Sequence, residues 1–218
     1  MSFFKIYLFI LTTIFYNSLY SQNSDKPNII YIYIDQLSET MMSCAGNKYL
    51  KTPAIDYIAR NGIRFTRAYT TNPVCSPARV SLMTGRFPGY FKDNEGNQVR
   101  ENKGSMRITQ ISQSVSSNNI AVLLRRAGYD LIYGGKEHLP APLSPKNIGF
   151  QIISNDERDD LAKEAANFIS KNHDNPYFMI VSLINPHDIC YMAIRDFAET
   201  EEDHSILENG NVELKNLE

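Results

Sequence analysis

The apolar positions of this chain fall into short, separated runs. Residues 28–34 read Asn-Ile-Ile-Tyr-Ile-Tyr-Ile, and residues 177–183 read Tyr-Phe-Met-Ile-Val-Ser-Leu. Both are rich in β-branched and aromatic side chains and carry no charge, which favours buried strands over helices. Residues 129–133 form a shorter strand of the same kind, and residues 63–70 a further extended stretch with Phe65 and Tyr69 among polar neighbours. Helical patterns lie between these runs. Thr52-Pro53 opens one that stops at Asn61-Gly62. Over residues 76–84, Ser76 can cap, Pro77 suits the first helical position and Gly85 suits the stop. Residues 119–127 place Ile120, Leu123 and Leu124 on one face, with Gly128 as the C-terminal cap. Ser154-Asn155 can cap a helix whose first turns hold Asp156, Glu157, Asp159 and Asp160. Its apolar stripe is Leu161, Ala165, Phe168 and Ile169, and Asn175-Pro176 breaks it. Strands alternating with helices predict an α/β fold around a mostly parallel sheet.

That prediction gives the strand ends a meaning. Asp35-Gln36 follows the first run directly, Lys136 and His138 follow the 129–133 strand through Gly134-Gly135, and His187 follows the last run. In an open parallel sheet the carboxyl ends of the strands converge along one edge, which is where ligand sites form. Cys75 sits just before a predicted helix, whose free backbone N–H groups favour an anion. Arg79, one turn in, can aim a planar charged fork at the same point. Taken alone, each residue has an ordinary explanation: a structural cysteine, a solvated strand-end turn, a surface Lys-Glu-His run. Their common placement is what points to a site.

The string Cys75-Ser76-Pro77-Ala78-Arg79-Val80-Ser81-Leu82-Met83-Thr84-Gly85 resembles the sulfatase signature C-x-P-[SA]-R-x-x-[LM]-[LM]-T-G. The resemblance continues in Asp35-Gln36, in Cys44-Ala45-Gly46, in Gly135-Lys136-Glu137-His138-Leu139 and in Pro186-His187. It implies an alkaline phosphatase-like, three-layer α/β sandwich with a mostly parallel sheet. It also implies that a maturation enzyme oxidises Cys75 to formylglycine. The hydrated aldehyde would attack the sulfur of a sulfate ester and then expel sulfate. Arg79, Lys136, His138 and His187 would bind the sulfate group and handle protons around it. Asp35, Gln36 and the modified Cys75 would hold a calcium ion, which takes hard oxygen ligands. Cys44 reads as structural. Arg100, Lys103 and Arg107 fall in a polar stretch that shapes the substrate mouth in many sulfatases.

Composition narrows the partners. A net charge of −2 gives no basic footprint for nucleic acid. Three cysteines cannot all pair. Residues 1–21 read as a secretory signal. Lys5 is followed by an apolar run over residues 6–16, shorter than the roughly 20 residues a bilayer span needs, and then by Asn17, Ser18 and Ser21. An uncleaved membrane anchor is the other reading. A linker is expected over residues 22–27 and the N-terminal catalytic part of a sulfatase over residues 28–218. Contact with a membrane is expected only through the export signal, and the location is periplasmic or secreted. A sulfated polysaccharide or glycosaminoglycan suits that location. The resemblance stops near Met192, and no later segment supplies the family's remaining calcium ligands, since Asp203-His204 lacks the glycine and the preceding strand. The expectation is therefore a sheet incomplete at its C-terminal side. Two alternatives follow: an inactive, truncated sulfatase-like fragment, and a related phosphoryl-transfer hydrolase. The second would use Ser or Thr as nucleophile and usually several zinc-binding His and Asp residues.

Overall fold

The computed structural model describes residues 26–92, 95–96, 108–187 and 189. Four strands form one sheet: β1 (Ile29–Ile34), β2 (Asp130–Gly135), β3 (Gln151–Ser154) and β4 (Tyr177–Leu183). The main helices are α1 (Pro53–Asn61), α2 (Cys75–Thr84), α3 (Ile120–Arg126) and α4 (Asp159–Ile169). The strand order is β1-β4-β2-β3 and every pairing is parallel. Register is set by pairs such as Ile30 with Met179, and Leu131 with Phe178. All the strands therefore end along one edge, as the sequence pattern predicts. Among the described residues no helix is long and apolar enough to cross a membrane.

The central strand β4 is covered on both faces, and its side chains alternate between two cores. Phe178 and Ile180 join Leu131 and Tyr133 of β2, Val80 and Met83 of α2 and Ala121 of α3 on one face. Tyr177, Met179 and Val181 join Ile132 of β2 and Leu161 and Ala165 of α4 on the other. Helices on both faces make three layers. Burying each of these larger side chains contributes about 1.5–3 kcal/mol, so the middle of the sheet carries most of the fold.

Several expectations change. The extended stretch at residues 63–70 takes no place in the sheet, with Phe65 76% and Tyr69 87% exposed. Their isolated aromatics find no apolar face to pack against among the described residues, so the extended pattern stays out of the sheet. The helix at the cysteine begins at Cys75 itself, with Val74 as its N-cap. Ser76 makes no capping bond, and its buried hydroxyl has no hydrogen-bond partner among the described residues. Leu123 points to solvent, while Ile120 and Leu124 pack on the core. Ser154 ends a strand missing from the sequence reading, β3, and Asp156 does the capping. The Asp156 carboxylate accepts from the backbone N–H of Arg158, Asp160 and Leu161 at 3.0, 3.0 and 3.3 Å. The expected signal at residues 1–21 and Arg100, Lys103, Arg107, Asp203 and His204 lie outside the described residues.

Candidate active site

The site grows from the strand ends. The N–H of Asp35 donates to the Leu183 carbonyl at 3.1 Å, extending the β1–β4 ladder by one residue. The chain then turns sharply, with Gln36 at φ 64°. At the end of β2 the backbone passes so close to β4 and α4 that only glycine fits. A Cβ on Gly135 (φ 88°) would run into the Ser182 carbonyl oxygen and the Leu161 side chain. Lys136 follows, its N–H donating to that same Ser182 carbonyl at 2.9 Å. His138 sits at φ 44°. Among the described residues, Gln36 and His138 are the non-glycine positions with positive φ. Backbone held in that region persists only where its surroundings over-determine it, and such positions cluster at working sites.

The side chains meet in two connected groups. Cys75 Sγ, on the first turn of α2, lies 2.9 Å from His138 Nδ1. One turn along, Arg79 is only 3% exposed. Its Nη1 donates to the Lys136 carbonyl (2.8 Å) and to Ser182 Oγ (2.7 Å), and its Nη2 lies 3.3 Å from Asp35 Oδ2. The guanidinium carbon stands 4.5 Å above the Tyr33 ring, a cation–π floor. Lys136 Nζ reaches the same Asp35 oxygen at 2.9 Å. Tyr133 Oη donates to the Lys136 carbonyl at 2.7 Å. Burial beside other aromatic rings pushes the Tyr33 hydroxyl well above the usual tyrosine range, and burial pushes Tyr133 up to about 12, so both stay neutral.

Two cations share one carboxylate, which leaves this buried cluster with a surplus positive charge. Burial works against ionising Asp35. The hydrogen bond and charge of Lys136, then the charges of Arg79 and His187, outweigh it and hold the carboxyl below its usual range. His187, whose N–H donates to the Ile184 carbonyl at 2.9 Å, lines an open cleft of about 510 Å³. Lys136, Glu137, His138, Asn155 and Glu157 line the same cleft. The structure thus brings Asp35, Cys75, Arg79, Lys136, His138 and His187 to one end of the sheet, with Gln36 adjacent in the backbone. Ser182, Tyr133 and Tyr33 join them without having been singled out from the sequence. The signal available for Ser182 was a small hydroxyl inside an otherwise apolar strand.

The carboxylate of Asp35 and the amide carbonyl of Gln36 are the hard oxygen donors calcium prefers, so their chemistry fits that ion. Their number does not reach the six to eight oxygens of a full shell. Among the described residues no group of three or more His, Cys, Asp or Glu is placed to hold a metal.

The sulfatase family model matches residues 27–155, which include Asp35, Cys75, Arg79, Lys136 and His138. The chain belongs to the sulfatase family. It is 27% identical over 175 residues to an ulvan-active sulfatase of Formosa agariphila, covering 75% of this chain and 31% of that protein. It is 38% identical over 125 residues to an N-acetylgalactosamine-6-O-sulfatase of Bacteroides thetaiotaomicron, covering 57% of this chain and 22% of that protein. A solved structure of a protein in complex with its substrate, D-glucosamine-2-N,6-O-disulfate, shares the fold. Its TM-score is 0.54 at 26% identity, over 75% of this chain and 35% of that one. This sulfatase chain therefore spans about a fifth to a third of the length of these relatives.

Proposed function

We propose that the protein is a sulfuric ester hydrolase acting on a sulfated carbohydrate, with residue 75 as the nucleophile after maturation. The observation that carries this reading is the joint position of Cys75 and the surplus positive charge. The cysteine opens α2 against His138, one turn from an Arg79–Asp35–Lys136 cluster beside an open cleft. A formylglycine made from Cys75 by a maturation enzyme would supply, when hydrated, a hydroxyl nucleophile.

The chain's own residues do the rest. Lys136 and Arg79 offset the negative charge of a sulfate group and of the transition state for its transfer. His138 holds or accepts a proton beside residue 75, and His187 serves the leaving-group side of the cleft. Asp35 keeps the two cations pointed at one place. Calcium would be held by Asp35 and Gln36 together with the modified residue 75. Carbohydrate is the favoured substrate class because the ulvan-active and N-acetylgalactosamine-6-O-sulfatase relatives are named for such substrates. The apolar run and flanking residues at 6–21 support export to the periplasm or the medium.

The test is co-expression with a formylglycine-generating enzyme. Intact mass should show that Cys75 has lost sulfur and gained oxygen, and sulfate release from sulfated oligosaccharides should then be followed. Release by the matured protein and none by Cys75→Ala supports the reading. A thiol that persists at Cys75 beside a competent maturation enzyme overturns it. A second reading, a sulfate-binding protein without turnover, is favoured by the short calcium donor set. Conversion of Cys75 without any sulfate release, at saturating calcium, would select it.

A further inference from the structure

Strand β4 reads Tyr-Phe-Met-Ile-Val-Ser-Leu, and its one small hydroxyl, Ser182, is fully buried. A polar group buried among aliphatic and aromatic neighbours is costly unless hydrogen-bonded, so its partner is informative. The alternation of β4 places Phe178 and Ile180 in the core under α2. Ser182 continues that series and so faces α2 as well. There its Oγ accepts from Arg79 Nη1 at 2.7 Å, while its backbone carbonyl accepts from the Lys136 N–H at 2.9 Å. One residue therefore holds the Arg79 fork directly and the backbone from which Lys136 reaches Asp35.

A guanidinium fork has two freedoms to lose: the tilt of its plane and rotation within that plane. The Tyr33 ring, 4.5 Å below, fixes the tilt. Rotation is fixed by two acceptors on Nη1, Ser182 Oγ and the Lys136 carbonyl, which leaves Nη2 directed at Asp35. Without the serine hydroxyl, Nη1 keeps one acceptor and the fork can pivot about it. The Lys136 carbonyl would still be held by Tyr133 Oη, so the lysine would stay while the arginine turned.

We propose that Ser182 is a positioning residue that sets the direction of the Arg79 fork, and through it the point at which Arg79 and Lys136 jointly present positive charge. What the charge is presented to rests on the sulfate-ester reading, but the orientation of Arg79 does not.

The experiment uses the full chain with Ser182→Ala and Ser182→Thr, the latter keeping the hydroxyl. Guanidino-¹⁵N NMR reports whether Arg79 rotates, with Arg79→Lys assigning its signals. Calorimetric titration with sodium sulfate reports anion affinity. In the wild-type chain, Arg79 should show separate, slowly exchanging Nη signals. Ser182→Ala should merge them and weaken sulfate binding about tenfold, while Ser182→Thr should keep both within about twofold of wild type. Should Ser182→Ala fail to fold, Ser182→Cys, nearly equal in volume and a weak acceptor, carries the same expectation. Separate Nη signals retained in Ser182→Ala overturn the proposal. So does equal damage from the alanine and threonine variants, which would assign the effect to packing. If the wild-type chain binds no sulfate, the functional reading fails, and the Arg79 signals still decide the role of Ser182.

Discussion

The two sides of the sheet make an instructive pair. β4 and β1 are parallel neighbours of similar character, both uncharged and dominated by aliphatic and aromatic side chains. β4 is buried along almost its whole length between helices. Among the described residues β1 has a neighbour on one side alone, and Ile30, Tyr31 and Ile32 stay exposed, Ile32 at 49%. Helix α1, which follows β1, has no buried residue, although its apolar positions fall on one face. Apolar content is therefore not what anchors a strand; covered area is. The candidate site spans this divide. Arg79, Lys136 and Ser182 come from the well-packed middle, whereas Asp35 and Gln36 come from the end of the open strand.

Equal truncations on the two strands test the contrast most strongly. Ile180→Ala should destabilise the chain by about 4 kcal/mol, because it empties a fully buried position. Ile32→Ala should cost less than about 1 kcal/mol by the same argument from area. Urea unfolding measures both, and similar costs would break the comparison.

The next test cuts the link between the two sides. Asp35→Ala strips the counter-ion from two buried cations and should cost on the order of 3 kcal/mol at neutral pH. The pH dependence has a definite sign. The folded carboxyl titrates below its unfolded value, so its contribution is complete above about pH 4 and fades as pH falls through the lowered folded value. The stability gap between wild type and Asp35→Asn should therefore be flat from neutral pH down to about pH 4 and narrow below it. A gap that widened on acidification would refute the ion-pair account.

A smaller effect than the loss of Asp35 belongs wholly to the packed side. Asp156→Ala removes three acceptor contacts from the start of α4 and should lower stability by about 1 kcal/mol. The loss should appear in thermal unfolding, without any change in the Arg79 signals.

Much of this was legible in the sequence. The run at residues 177–183 has the bounds of β4, and the run at 28–34 differs from β1 by one residue, because long uncharged β-branched runs leave little choice. The convergence of Asp35, Cys75, Lys136, His138 and His187 followed from strands that end together. Other features were hidden for physical reasons. β3 has four residues and no alternating pattern, and it exists through its pairing with β2. The 63–70 stretch carries strand-forming residues but finds no covering layer in the described fold. The cap of α4 moved from Ser154-Asn155 to Asp156 because the backbone is still in the sheet at Ser154. Ser182 could not be told from a chance serine until Arg79 was seen beside it.

The left-handed backbone at Gln36 and His138 sets chain stability against chemistry. Glycine would rest more easily at either position, and a selection for thermostability alone would drift toward it. That drift would remove the side-chain amide at 36 and the imidazole that meets Cys75 at 138. Consensus-style stabilisation of this chain should therefore leave these two positions untouched, since here the conformationally easier residue is the one with no side chain to offer the candidate site.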